Sequence, residues 1–113
     1  MNQQQTIKEL LIDEFKDDPL YRQIQINGLE EFLFADSILS MHPETIYSTV
    51  EAGKLINRAD STIRNYFRTE LIDYVEPEKF GKFYRLDYKS IFRLHMIFTL
   101  VENTGKNTID LLA

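Results

Sequence analysis

Between Asp60 and Arg85 the chain carries side chains of the kinds that hydrogen-bond base edges and pair with phosphates. Ser61, Thr62, Asn65 and Arg68 recur on the outward part of a helical wheel, and Arg64 lies one turn from both Ser61 and Arg68. Hydroxyl, amide and guanidinium groups read bases or grip phosphate. Lys79, Lys82 and Arg85 follow as cations suited to phosphate. For enzymatic chemistry the residues are lacking. No Ser-His-Asp set, paired carboxylate cleft or phosphate loop is discernible, and Gly81 is a lone glycine. The chain has no Cys, so neither a disulfide framework nor a Cys-ligated zinc site is available. His42 adjoins Pro43 with no ligand partner nearby, and His95 falls within an apolar stripe, as a core histidine does. These residues predict a binding protein without catalytic residues, cofactor or metal.

The net charge of −5 opposes binding to a polyanion, but its distribution matters more than its sum. Residues 1–46 hold three Lys and Arg against nine acids, whereas residues 54–93 hold nine against six. A modest local excess binds DNA if one face presents it. The paired acids Asp17-Asp18 and Glu30-Glu31 read as solvated faces.

The elements that must position these residues follow from caps and periodicity. Thr6–Asp17 predicts an amphipathic helix with Ile7, Leu10, Leu11 and Phe15 on one side, ended by Asp18-Pro19. Leu20–Ile26 is ambiguous, its Ile24 and Ile26 alternating as in a strand. Asn27-Gly28 is a turn, and Leu29–Ser40 reads as helical again. Ser48 or Thr49 can cap a helix over Val50–Ile56, and Asn57-Arg58-Ala59 makes a short turn. Asp60 can cap a second helix, Ser61–Glu70, with Ile63, Tyr66 and Phe67 on its apolar side. Leu71–Val75 and Phe83–Leu86, separated by Glu76–Gly81, predict a β-hairpin. Asp87 caps a third helix, Tyr88–Val101, and Asn107 caps a further one at Thr108–Leu112, so close to the last residue that a longer natural chain is expected. The predicted fold is mainly α with a small β-hairpin: a winged helix-turn-helix preceded by a helical N-terminal extension. Residues 1–44 form the acidic extension. Residues 45–113 form the winged domain, with helix-turn-helix 48–70, wing 71–86, helix 88–101 and the start of another helix at 108–113. In such a unit the second helix enters the major groove and the hairpin reaches phosphate beside it.

The run from Tyr47 to Ile56 through Asp60-Ser61-Thr62-Ile63-Arg64-Asn65-Tyr66-Phe67 resembles the DNA-binding domain of the MerR family. Tyr84-Arg85-Leu86, then Asp87 opening a helix with Ile91, Arg93 and Leu94, is similar to the family's wing and following helix, and the likeness spans residues 47–112. The resemblance implies a recognition helix at Asp60–Glu70, DNA contacts from Arg64 and Tyr66, and a phosphate grip from Arg85. Asn65 departs from an aromatic common there, Phe67 from an acid and Arg58 from an apolar turn residue. The extension has no counterpart, and the family's long dimerisation helix and effector domain are missing from the sequence.

The function expected from residues and resemblance is sequence-specific binding of double-stranded DNA, in transcription regulation or DNA segregation, by a homodimer. Ser61, Asn65 and Arg68 are the expected base readers. A reading of another class is a protein–protein adaptor that reuses the winged fold without DNA, its partner surface on residues 1–44 through Leu10, Leu11, Phe15, Phe32, Leu33 and Phe34. The polar start Met1–Gln5 predicts no secretory leader, and the apolar stretch Ile91–Val101, broken by Arg93 and His95, is too short for a bilayer. A cytoplasmic, nucleoid-associated protein is the expected setting.

Overall fold

The computed structural model describes residues 5–105 and is mainly helical with one small two-stranded antiparallel sheet. The expected helix at Thr108–Leu112 lies outside the described residues. The chain forms two compact units: one holds the residues up to Met41 and those from Met96 on, the other His42–His95.

In the first unit, α1 (Ile7–Phe15) starts at a capping box in which the Thr6 hydroxyl accepts from the Glu9 N–H and the Glu9 carboxylate accepts from the Thr6 N–H. Ile7, Leu11 and Phe15 are buried at spacings of four. The residues open to a strand reading, Leu20–Ile26, are helical instead, in α2 (Pro19–Ile26). Asp18 accepts from the N–H groups of Leu20 and Tyr21, and Pro19 stands in the first turn where its missing N–H costs nothing. Leu20, Tyr21 and Ile24 are buried, which is helical spacing, while Ile26 is 83% exposed. The expected single helix Leu29–Ser40 is two pieces, a 3-10 turn at Glu30–Phe34 and α3 (Asp36–Leu39), broken at Ala35 in extended backbone. Leu33 and Ile38 are buried, and no single helical face spans that break.

In the second unit Tyr47 exchanges two backbone hydrogen bonds with Leu86 (2.7 and 2.8 Å). A second capping box, Ser48 with Glu51, opens α4 (Thr49–Ile56). Asn57 closes α4 in the left-handed region at φ 58°, and the Arg58 N–H returns to the Gly53 carbonyl (2.8 Å). That return passes so near Gly53 that a Cβ there would collide with the Arg58 carbonyl oxygen. Next comes α5 (Asp60–Tyr66), which differs from the expected Ser61–Glu70 at both ends. Ala59, in extended backbone, holds the capping position in place of Asp60, whose carboxylate is engaged by Thr49 and Arg64. At the other end Arg68 and Thr69 donate to Asn65 and Tyr66 in three-residue steps, which tighten and end the helix.

The expected first hairpin strand, Leu71–Val75, is α6 (Leu71–Val75). A strand would place Leu71, Asp73 and Val75 on one face and force a carboxylate into the core. The helix buries Leu71 and Val75, four apart, and leaves Asp73 exposed. Glu76 at φ 55° and Pro77 stop it. The hairpin is shorter and later: β1 (Glu78–Phe80) pairs with β2 (Phe83–Arg85) around Gly81-Lys82, with Glu78 opposite Arg85, Lys79 opposite Tyr84 and Phe80 opposite Phe83. Gly81 at φ 61° suits a two-residue hairpin turn.

Then α7 (Tyr88–Thr104) begins where the Asp87 carboxylate accepts from the Ser90 N–H (2.9 Å). The Arg93 guanidinium donates to the Val75 carbonyl (3.2 Å) and the Ser90 hydroxyl to the Glu76 carbonyl (3.2 Å), so α7 satisfies the end of α6. Ala52, Ile56, Ile63, Phe67, Leu71, Val75, Leu86, Ile91, Phe92 and Leu94 are buried in this unit. Among the described residues, no helix is long and apolar enough to cross a membrane.

Candidate nucleic-acid interface

The candidate residues lie on α5, on the turn that follows it and on the hairpin; α4 fixes where α5 begins, and Leu86 fixes where the hairpin ends. The Thr49 hydroxyl donates to the Asp60 carboxylate, which pins the start of α5 to the start of α4. The Arg64 guanidinium meets the same carboxylate at 2.9 Å, one turn along α5. The Tyr47–Leu86 bridge holds the end of the hairpin beside the entry to α4. A groove of about 260 Å³ results, lined by Thr49, Val50, Asp60, Arg64, Lys82, Phe83, Tyr84 and Arg85.

Three of the nine site residues expected from the sequence, Arg64, Lys82 and Arg85, share this groove. Arg64 and Lys82 are exposed, and Arg85 is half-buried. The Arg85 guanidinium donates to the Tyr84 carbonyl (2.9 Å) and lies 5.6 Å from the centre of the Phe83 ring. Strand alternation puts Arg85, Phe83 and Phe80 on one face of the hairpin, and Lys79 and Tyr84 on the other. Lys79 accordingly sits over the Tyr84 ring, 5.4 Å from its centre, and does not line the groove. Tyr84 packs in turn on Phe67, with ring centres 4.8 Å apart, which seats the hairpin against the end of α5.

The other α5 candidates are outside the groove. Ser61 and Asn65, four apart, are exposed along α5. Thr62 and Tyr66, also four apart, are half-buried, and burial raises the Tyr66 phenol above its ordinary pKa. Arg68 is exposed but lies past the helix end, so its projection comes from a turn.

Sequence reasoning did not single out Thr49, Val50 or Asp60 as parts of this surface. Thr49 and Val50 look like any first helical turn, and the link from Thr49 to Asp60 joins residues eleven apart. Nor did it find the exposure of Val50, Phe80 and Phe83, at 50%, 59% and 63%. Phe normally signals core, and only the two-residue turn that turns both rings outward shows otherwise. Two acids temper the cations here. Asp60 lines the groove, and the Glu51 carboxyl is held below its ordinary pKa by the Ser48 N–H, then the Ser48 hydroxyl, with smaller pulls from Arg85 and Lys54. Among the described residues, no cluster of three His, Cys, Asp or Glu is placed to hold a metal ion.

Compared with known proteins, the chain matches no family model, no curated protein and no solved structure.

Proposed function

We propose that this chain binds double-stranded DNA through a winged helix-turn-helix of MerR-like type, with α4 and α5 as the two helices and the β1–β2 hairpin as the wing. In this reading α5 enters the major groove, with Ser61 and Asn65 toward base edges and Arg68 at its far end. Arg64, Lys82 and Arg85 bind phosphates beside it. The observation that carries the reading is the convergence of those three cations, from a helix and a hairpin twenty residues apart, on one open groove. Control of transcription or of DNA segregation is the corresponding role, and a homodimer would match two half-sites.

Titration of a fluorescent duplex against the intact chain tests it. Arg64→Ala and Arg85→Ala should each weaken binding on unrelated sequences and reduce the salt slope by about one. Curves that overlay the parent would remove these residues from the interface. A second reading, a protein-binding adaptor, draws on the exposed Val50, Phe80 and Phe83, on Asp60 in the groove and on Glu51, which feels the charges of Arg85 and Lys54. Such a surface binds a partner with little dependence on phosphate and none on duplex structure.

A further inference from the structure

The hairpin tip carries two aromatic rings that lie outside the core. Phe80 and Phe83 are directly opposed across the β1–β2 register and are 59% and 63% exposed. They flank the turn Gly81-Lys82, so a cation stands between two rings at the extreme end of the ribbon. Arg85 lies over the Phe83 ring on the same face, and Lys79 projects from the other face. Exposed rings cost the free protein solubility and contribute nothing to its core. Flanking cations suit them to a partner that pairs apolar flat surfaces with anions on both sides. Stacked base pairs between two phosphate strands have that arrangement.

We propose that Phe80 and Phe83 form a minor-groove wedge, which presses between base pairs beside the site read by α5 while Lys79, Lys82 and Arg85 hold the two flanking phosphate strands. Apolar side chains that enter a base step from the minor groove unstack it in part and kink the duplex. The distortion is easiest at flexible pyrimidine–purine steps such as TA and hardest in stiff A-tracts. The wedge therefore reads deformability where the helix reads base edges, and favours TA-rich flanks over A-tracts of the same composition. This inference rests on the duplex-binding reading above, and its test separates the two.

Two duplexes of about 20–30 base pairs, one of alternating T and A and one an A-tract of equal composition, each carry 2-aminopurine as a reporter of unstacking. The intact chain should bind the alternating duplex on the order of tenfold more tightly and brighten the reporter there. Phe80→Ser, and Phe80→Ser with Phe83→Ser, should lose the preference and the brightening with unchanged thermal melting. Phe80→Leu, which keeps an apolar wedge, should retain both. If the parent binds both duplexes equally and the reporter stays dark, the wedge is wrong while duplex binding stands. If Phe80→Ser keeps both signals, these rings are not the wedge. A stronger affinity for the corresponding single strand would also overturn it. Failure of the parent to bind either duplex at low salt removes the duplex-binding reading and the wedge together.

Discussion

Asp60 is the residue on which the candidate interface turns. Its carboxylate accepts from Thr49 and pairs with Arg64 at 2.9 Å, so it orients the guanidinium proposed to bind phosphate while adding a negative charge that would repel it. The side chains are partly exposed, so the pair contributes at most about 1 kcal/mol to stability. Asp60→Asn keeps an acceptor for Thr49 and deletes the charge. The expected outcome is a duplex affinity raised roughly threefold to tenfold at low salt, with about 0.5–1 kcal/mol of stability lost. Weaker DNA binding in that variant would show that the carboxylate's positioning of Arg64 outweighs its repulsion. Residue types were legible in the sequence here, because serine, asparagine and arginine at helical spacing announce a polar face. The tie from Thr49 to Asp60 was not, since it depends on how the Asn57–Ala59 turn aims the second helix.

Tyr21, in the other unit, offers a test at the same scale. It is buried and donates its hydroxyl to Glu30. Burial first, then the bond to Glu30 and the charge of that carboxylate, push the phenol well above its ordinary pKa of 10.0. The unfolded chain releases this proton near pH 10 and the folded chain does not. The stabilisation is thus fully present below about pH 10 and is lost as the pH rises beyond it. Tyr21→Phe should cost about 1 kcal/mol at neutral pH. In urea unfolding the gap between parent and variant should shrink by about pH 10.5. A gap that does not change with pH would mean that the phenol is open to solvent.

At the scale of elements, short-range chemistry was readable and short apolar runs were not. The amphipathic repeat of Thr6–Asp17 and its end at Asp18-Pro19 involve neighbours within a few residues, and a helix is present there as α1, whereas the strand-like alternation of Leu20–Ile26 misled and that run is α2. Leu71–Val75 has only five residues, too few to separate a period of 2 from one of 3.6, and its β-branched and aromatic content favoured a strand. The preference for keeping Asp73 out of the core decided otherwise. The α4–α5 turn makes a sharper claim. Gly53 lies within α4, where Ala would normally gain up to about 1 kcal/mol from helix propensity. Against the Arg58 carbonyl a Cβ has no room. Gly53→Ala should therefore destabilise by roughly 1–3 kcal/mol, read from the shift of a denaturation midpoint. A gain in stability would show that the turn does not fold back on the helix, and with it the aim of α5 would fall.

Across the whole molecule the charges are sorted by unit. His42–His95 holds nine Lys and Arg against eight Asp and Glu, whereas residues 1–41 hold three against eight. A chain of net charge −5 is repelled by DNA at long range, so the proposed binding would have to come from a few oriented cations at contact. Arg64, Arg68, Lys79, Lys82 and Arg85 are the available set. The most direct measurement is the dissociation constant of the intact chain for a duplex across a series of salt concentrations. A duplex-binding chain should show measurable binding at low salt and a log–log slope between about −2 and −4.5, as for two to five phosphates neutralised at roughly −0.9 each. No duplex binding at low salt, or binding with a slope near zero, would contradict that proposal and leave the protein-binding adaptor as the function of this surface.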